Sequence, residues 1–211
     1  MCRILYARAE TPFDIGGLLA PFAELSQNSS EFQGHGWGCA WRENGAWQQY
    51  HDIRPIWEDE LNQFGETDLL LVHARSAFRD EGIVVENNMP FSDGESMFIF
   101  NGELRGVRIK SEGRIGAEKI YNYIRRFDKG DKFDATQRAV DIINKRSAYV
   151  RAMNLILSDG EQSVLSTGFG EDPEYFQVHE KRCDGLHLIC SDPFPGQTDW
   201  QTIENHTTVR L

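Results

Sequence analysis

Ten short runs of β-branched, aromatic and aliphatic residues, most of them bounded on one side or the other by Gly, Asn or Asp, constrain this chain more than any other feature. They fall at about residues 3–9, 36–42, 46–51, 68–74 and 96–101, and again at 151–158, 162–168, 174–179, 186–190 and 206–210. Two of the breaks, Glu43-Asn44-Gly45 and Ser158-Asp159-Gly160, are hairpin chemistry, because Asn, Asp and Gly tolerate positive φ. Antiparallel sheet is therefore expected to dominate. Helical signals are fewer. Thr11-Pro12 offers a cap and an N1 proline ahead of Ile15, Leu18, Leu19, Phe22 and Leu25, and a second candidate begins at Pro55. Ile120, Ile124 and Phe127 put an apolar stripe on a helix over about 116–127, and Val140, Ile143 and Val150 do so over about 135–149. Both helices lie together between two clusters of strands. That grouping predicts an α+β domain whose helices cover sheet faces, not an alternating βαβ winding. With no repeat, low-complexity tract or linker, one domain over 1–211 is expected.

Charge and hydropathy narrow the function. The chain has 22 Lys+Arg against 33 Asp+Glu, a net charge of −11, with no clustered basic stripe. Such a field repels phosphate backbones and anionic headgroups, so neither nucleic acid nor a membrane surface is an expected partner. The longest aliphatic run, 69–72, is far short of the roughly 20 apolar residues that cross a bilayer. The first 15 residues lack a signal peptide's basic start and apolar middle, and a cytoplasmic protein is expected.

Four cysteines, Cys2, Cys39, Cys183 and Cys190, form no C-x-x-C pair, and their placement relative to His35, His73 and His187 reproduces no structural zinc pattern. Neither a metal nor another cofactor is indicated. Cys39, Cys183 and Cys190 are expected to be buried small side chains. Cys2 differs by position. Initiator Met is commonly removed ahead of a small residue, which would leave a thiol and a free α-amine on one residue. The α-amine, with an ordinary pKa of roughly 7.7 to 8.0, can take the thiol proton near neutral pH. The thiolate can then attack an acyl carbon and form a thioester. The bland alternative for Cys2 is packing.

Five segments in order decide between them. The start MCRILYARA, GHGWG at 34–38, LLLVHARSAF at 69–78, VENNMPF at 85–91 and FIFNGEL at 98–104 resemble the class II glutamine amidotransferases, which are N-terminal-nucleophile (Ntn) hydrolases. Later stretches, NLILSDG at 154–160 and HLICSDPF at 187–194, are similar to strands of the short stand-alone members. The resemblance implies a four-layer αββα sandwich of antiparallel sheets, the Ntn-hydrolase fold. It implies that Cys2 is the nucleophile and that Arg75 clamps a substrate α-carboxylate, a role suited to a planar fork of donors. Asn101 and Gly102 would form the oxyanion hole through a side-chain amide and a backbone N–H. Trp37, with the glycines around it, would form the floor under the glutamine side chain. His73 reads as structural. The alternatives are a surface ion pair for Arg75, a hairpin turn at Asn101-Gly102 and a packed core ring for Trp37.

The resemblance also has gaps. Where family members carry an Asp that holds the substrate α-ammonium, this chain reads Gly116-Ala117-Glu118. An ammonium buried without a partner is costly, so Glu118 or Glu112 would have to serve, or the ligand is not free glutamine. Met89 and Phe100 stand where the family has His. No acceptor domain follows Leu211, so the ammonia is expected to pass to a separate synthase subunit, or the chain is a simple γ-glutamyl amide hydrolase. The implied function is hydrolysis of glutamine or a γ-glutamyl amide through a thioester on Cys2. The alternative is a catalytically silent module that binds a γ-glutamyl metabolite or docks on a partner.

Overall fold

The computed structural model describes residues 1–77, 79 and 81–211. In chain order its main elements are β1 (Arg3–Asp14), α1 (Ile15–Gln27), β2 (Trp37–Glu43), β3 (Ala46–Asp52), β4 (Glu66–Ala74), β5 (Phe91–Ser92) and β6 (Met97–Arg105). Then come α2 (Gly116–Arg125), α3 (Lys132–Arg146), β7 (Tyr149–Ser158), β8 (Ser163–Thr167), α4 (Pro173–Phe176), β9 (His179–Cys183), β10 (Leu186–Cys190), β11 (Gln201–Thr202) and β12 (Thr207–Arg210). The class is α+β with two antiparallel sheets, as the punctuated runs predict.

The chain divides into two compact units, each built on one sheet. Met1–Pro90 with Gln177–Ile203 carries seven strands in the order β11-β9-β10-β1-β4-β2-β3. Alternation along these strands decides what each face holds. Leu5, Ala7, Trp37, Cys39, Leu70, Val72 and Ala74 point to the face covered by Ile15, Leu19 and Phe22 of α1. Ile4, Tyr6, Leu71 and His73 point to the other face and are also fully buried. The turn between β2 and β3 uses positive φ at Asn44 and Gly45, as its sequence predicts.

Phe91–Phe176 with Glu204–Leu211 forms the second unit, with five strands in the order β12-β8-β7-β6-β5. Tyr121 of α2 stacks on Phe98 of β6 and donates its hydroxyl to the Ser96 carbonyl at 3.1 Å. Asp131 caps α3 by accepting from the Phe133 and Asp134 N–H groups.

Several boundaries differ from the sequence reading. Thr11-Pro12 does not start α1. Pro12 has no N–H for a ladder, the pairing of β1 with β4 shifts between Arg8 and Phe13, and Asp14 then caps the helix by accepting from Gly17 N at 2.6 Å. Pro55 precedes only two short 3₁₀ turns, Ile56–Glu58 and Leu61–Gln63, because Asp59 between them is extended. The run at 174–179 is instead α4, with Pro173 at its first position and the Asp172 carbonyl accepting from Tyr175 and Phe176. Val150 lies in β7, since the chain is already extended at Ser147. Cys183 is half-buried rather than buried, whereas Cys39 and Cys190 are core residues.

Asp59 ties the 3₁₀ turns to the sheet. Its carboxylate, 2% exposed, accepts from Trp37 Nε1 at 3.0 Å, Tyr50 Oη at 2.8 Å and Arg54 at 2.9 Å. Tyr50 and Arg54 keep Asp52 as a second partner and the Glu60 N–H, which also donates to Asp59, is exposed to water, so among the described residues the Trp37 N–H is the buried donor orphaned if Asp59 is cut back. Asp59→Ala is expected to cost about 1–3 kcal/mol, measured by urea unfolding, the penalty of one buried donor left unpaired.

Candidate active site

Register brings the first candidate residues together. Arg3 faces Ala74 and Ile4 faces His73, so Cys2, one residue before β1, stands across from Arg75, one residue beyond β4. Both side chains take the face shared with Ile4 and His73, opposite the face covered by α1. Cys2 is buried. Its Sγ accepts from Ser76 N at 3.5 Å and faces the Ser76 carbonyl at 3.7 Å. With Met1 attached, burial pushes the Cys2 thiol above its ordinary pKa; the N-terminal ammonium, the Ser76 N–H and Arg75 pull against it.

Arg75 is 5% exposed and bears no ion pair with any described residue. Nη2 donates to the Gly82 carbonyl at 2.9 Å, and Nη1 is buried without a hydrogen bond. The backbone around it is well held: Arg75 N donates to Gly36 O at 2.9 Å, and His35 N donates to Arg75 O at 3.1 Å. Arg3, in the same unit, shows the ordinary solution for a buried guanidinium, with Asp192 at 3.3 Å and the Ser191 carbonyl at 3.1 Å. Arg75 has no such carboxylate among the described residues. The surface ion pair considered from sequence is thus not what the structure holds.

Trp37 is not on this face. Its register with Ala74 sends the indole into the core under α1, against Tyr50 and Phe64 and hydrogen-bonded to Asp59. It therefore cannot be the floor expected beside Cys2. Gly36 and Gly38 do lie on the Cys2 face, but their lack of Cβ admits this chain's own residues. A Cβ on Gly36 would meet Asn88 Nδ2 at 2.2 Å, and one on Gly38 would meet Met89 O at 2.5 Å. The VENNMPF segment is thus seated on the glycine-rich strand, with Asn88 donating to Asp52 O and Asn87 to Gly82 O. Phe78, the last residue of LLLVHARSAF, lies outside the described residues.

In the second unit, Asn101 and Gly102 sit inside β6, paired with Asn154 and Met153, so they are not a hairpin turn. Asn154 is fully buried and fully used: Nδ2 donates to Phe176 O, and Oδ1 accepts from Thr167 Oγ1 and Gly168 N. Asn101 is equally buried, yet its Nδ2 and Oδ1 make no hydrogen bond with any described residue. Gly102 permits no side chain, since a Cβ would lie 2.2 Å from Ala152 O. Glu118 does not present its carboxylate for an ammonium. Both oxygens are held by Arg114, which lowers its pKa. Glu112 is exposed, and a Cβ on Gly116 would meet nothing within 4 Å. Among the described residues no group of three or more His, Cys, Asp or Glu could hold a metal ion, and no helix is long and apolar enough to cross a membrane.

Sequence reasoning missed Ser76 and Gly82, which touch Cys2 and Arg75 through main-chain atoms, and Glu31 and Gln33, which hold Met1. Main-chain contacts leave no mark on residue type. A Glu and a Gln in a loop carry no periodic signal.

No protein-family model and no curated protein matches the chain. Solved structures do. A glutamine aminotransferase class-II domain protein from Silicibacter pomeroyi is similar with TM-score 0.68 and 15% identity, over 99% of this chain and 94% of that one. A predicted glutamine amidotransferase from Pseudomonas aeruginosa is similar with TM-score 0.62 and 15% identity, over 99% and 96%. Glutamine phosphoribosylpyrophosphate amidotransferase from B. subtilis is similar with TM-score 0.64 and 12% identity, over 90% of this chain but 42% of its own. At these identities the likeness establishes the fold alone, an α+β architecture with two antiparallel sheets, over nearly the whole chain.

A buried guanidinium without a counter-charge lowers stability. Arg75→Met should remove that cost, and the Gly82 carbonyl keeps Asn87 as its donor. The variant is expected to melt at or above the wild-type temperature in a calorimetric scan. A loss beyond about 1 kcal/mol would mean that Arg75 serves folding instead.

Proposed function

We propose that the chain, once Met1 is removed, hydrolyses the amide bond of glutamine or of another γ-glutamyl amide. The observation that carries this reading is the buried guanidinium of Arg75, which pairs with no carboxylate among the described residues and stands across from the Cys2 thiol. A ligand carboxylate would complete that pair with two parallel hydrogen bonds. The similarity of fold to proteins named as glutamine amidotransferases supports the choice of ligand.

In this reading the Cys2 α-amine takes the thiol proton as Sγ bonds to the γ-carbonyl carbon. Negative charge gathers on the carbonyl oxygen, where the Asn101 amide and Gly102 N–H are the donors. The C–N bond then breaks and the proton passes to the departing nitrogen. Water attacks the thioester, the same amine takes its proton, the C–S bond breaks, and glutamate leaves with the thiol restored. Asn101 suits the donor role because its buried amide is not spent on the fold. Where the departing nitrogen is ammonia, a separate ammonia-accepting synthase is the partner this chemistry calls for.

A specific observation favours the second reading, a silent module that binds a γ-glutamyl metabolite. While Met1 remains, its ammonium is paired with Glu31 and the Cys2 nitrogen is an amide, so no base is available. The chain with Met1 is predicted to release no glutamate from any γ-glutamyl amide, measured by glutamate assay.

Wild type and Cys2→Ala, both with Met1 removed, should be screened with glutamine, glutathione and other γ-glutamyl amides. Cys2→Ala is expected to lose all hydrolysis that wild type shows. Asn101→Ala should lower kcat about 10²- to 10³-fold, the loss of roughly 2.7–4 kcal/mol typical of one oxyanion donor. Hydrolysis that survives in Cys2→Ala overturns the mechanism.

A further inference from the structure

The loop after α1 forms a seat for the main chain of residue 1. The Met1 ammonium pairs with the Glu31 carboxylate, and the Met1 carbonyl accepts from Gln33 Nε2 at 2.5 Å. That Nε2 also donates to Glu31 O at 2.7 Å and lies 3.4 Å from Ser29 Oγ, which in turn accepts from Arg3 Nε at 3.2 Å. Gln33 is fully buried, and the Met1 and Glu31 side chains are only 12% and 34% exposed. The contacts go to a primary ammonium and to the carbonyl on the same α-carbon. The seat thus recognises an amino-acid head group.

Met1 must leave for Cys2 to act, and its departure takes both groups from the seat while Ser29 and Arg3 keep the loop in place. Glu31 and Arg75 both act on the Cys2 thiol, with opposite signs. The carboxylate pairs with the nitrogen of the residue before Cys2, and the guanidinium stands across the β1–β4 ladder from the thiol. The α-carbon of a γ-glutamyl group carries an ammonium and a carboxylate, the charges these two residues complement. Reach agrees as well. The covalent path from Sγ to the Met1 nitrogen is one bond longer than the path from Sγ to the α-nitrogen of a γ-glutamyl thioester. Burying that head group with its ammonium unpaired would be costly.

We infer that Glu31, supported by Gln33, determines specificity by holding the substrate's α-ammonium, so that the preferred substrates are γ-glutamyl amides with a free α-amine. The inference rests on the reading of Cys2 as a nucleophile that becomes the N-terminal residue. A competing role for Glu31, holding the α-amine of Cys2 itself, makes a different prediction: loss of the charge would weaken every ligand alike or none.

The test uses protein shown by intact mass to lack Met1, and two probes that are not turned over: L-glutamate, the acyl product of every γ-glutamyl amide, and glutarate, the same chain without the α-amine. Calorimetry is expected to show wild type binding glutamate at least 10-fold tighter than glutarate. Glu31→Gln should bring that ratio to within about 2-fold through a loss of glutamate affinity, with folding checked separately by a calorimetric melt like that of wild type. Glu31→Asp, a shorter carboxylate, should give an intermediate ratio. The inference is overturned if the ratio persists in Glu31→Gln, if both affinities fall together, or if wild type binds neither acid. Hydrolysis by Cys2→Ala is read separately. If that variant still turns over while the Glu31 ratio behaves as expected, the nucleophile falls and the seat stands.

Discussion

The antiparallel ladder between β1 and β4 is the constraint on which the rest depends. Its register pairs Arg3 with Ala74 and so sets residue 2 across from residue 75. Strand side chains alternate with period two, and a slip of one residue in β1 alone would send Cys2 into the core under α1 and bring Arg3 to the face that Arg75 keeps. The register is held by what it buries. Leu5, Ala7, Val72 and Ala74 meet α1, and Ile4, Tyr6, Leu71 and His73 are buried on the other side. A strand apolar on both faces with a charged residue at its end has one pairing that hides the former.

Two groups stand out because the fold does not satisfy them. Among the described residues the buried Arg75 pairs with no carboxylate while Arg3 has Asp192, and the buried Asn101 side chain makes no hydrogen bond while that of its ladder partner Asn154 makes three. Each contrast lies within one unit and sets a residue against a neighbour of its own type. Buried polar groups without partners lower stability, and native chains keep few of them. A guanidinium and an amide left in this state are what a ligand carboxylate and a developing oxyanion would complete. Burial raises the pKa of the Cys2 thiol while Met1 is attached. In the proposed reaction the free α-amine would take the thiol proton at the moment of attack.

Much of the architecture was legible because local signals agreed. Asn44-Gly45 closes its hairpin with the positive φ its residues favour, and the stripes through Ile120 and Ile143 lie on α2 and α3. What failed were places where one local cue stood for a tertiary contact. Thr11-Pro12 resembles a helix start, yet Asp14 supplies the cap; the run at 174–179 carries strand-forming residues, yet Pro173 opens a helical turn. Of the site, Cys2 and Arg75 were legible singly, through the resemblance of MCRILYARA and LLLVHARSAF to a known family; that they stand across from each other comes from the β1–β4 register. The face of Trp37 was not, because it depends on a register that only pairing with Ala74 fixes. Glu118 looked available in sequence, but Arg114, four residues before it, holds both oxygens. The Glu31–Gln33 seat left no pattern, since its contacts go to the main chain of Met1.

The most direct test of the central claim is the intact mass of the protein after exposure to 6-diazo-5-oxo-norleucine, a γ-glutamyl electrophile. The account predicts that chains lacking Met1 gain one adduct, mapped by peptide mass to Cys2, and that chains retaining Met1 gain none. An adduct elsewhere, or unmodified chains that begin at Cys2, would contradict it.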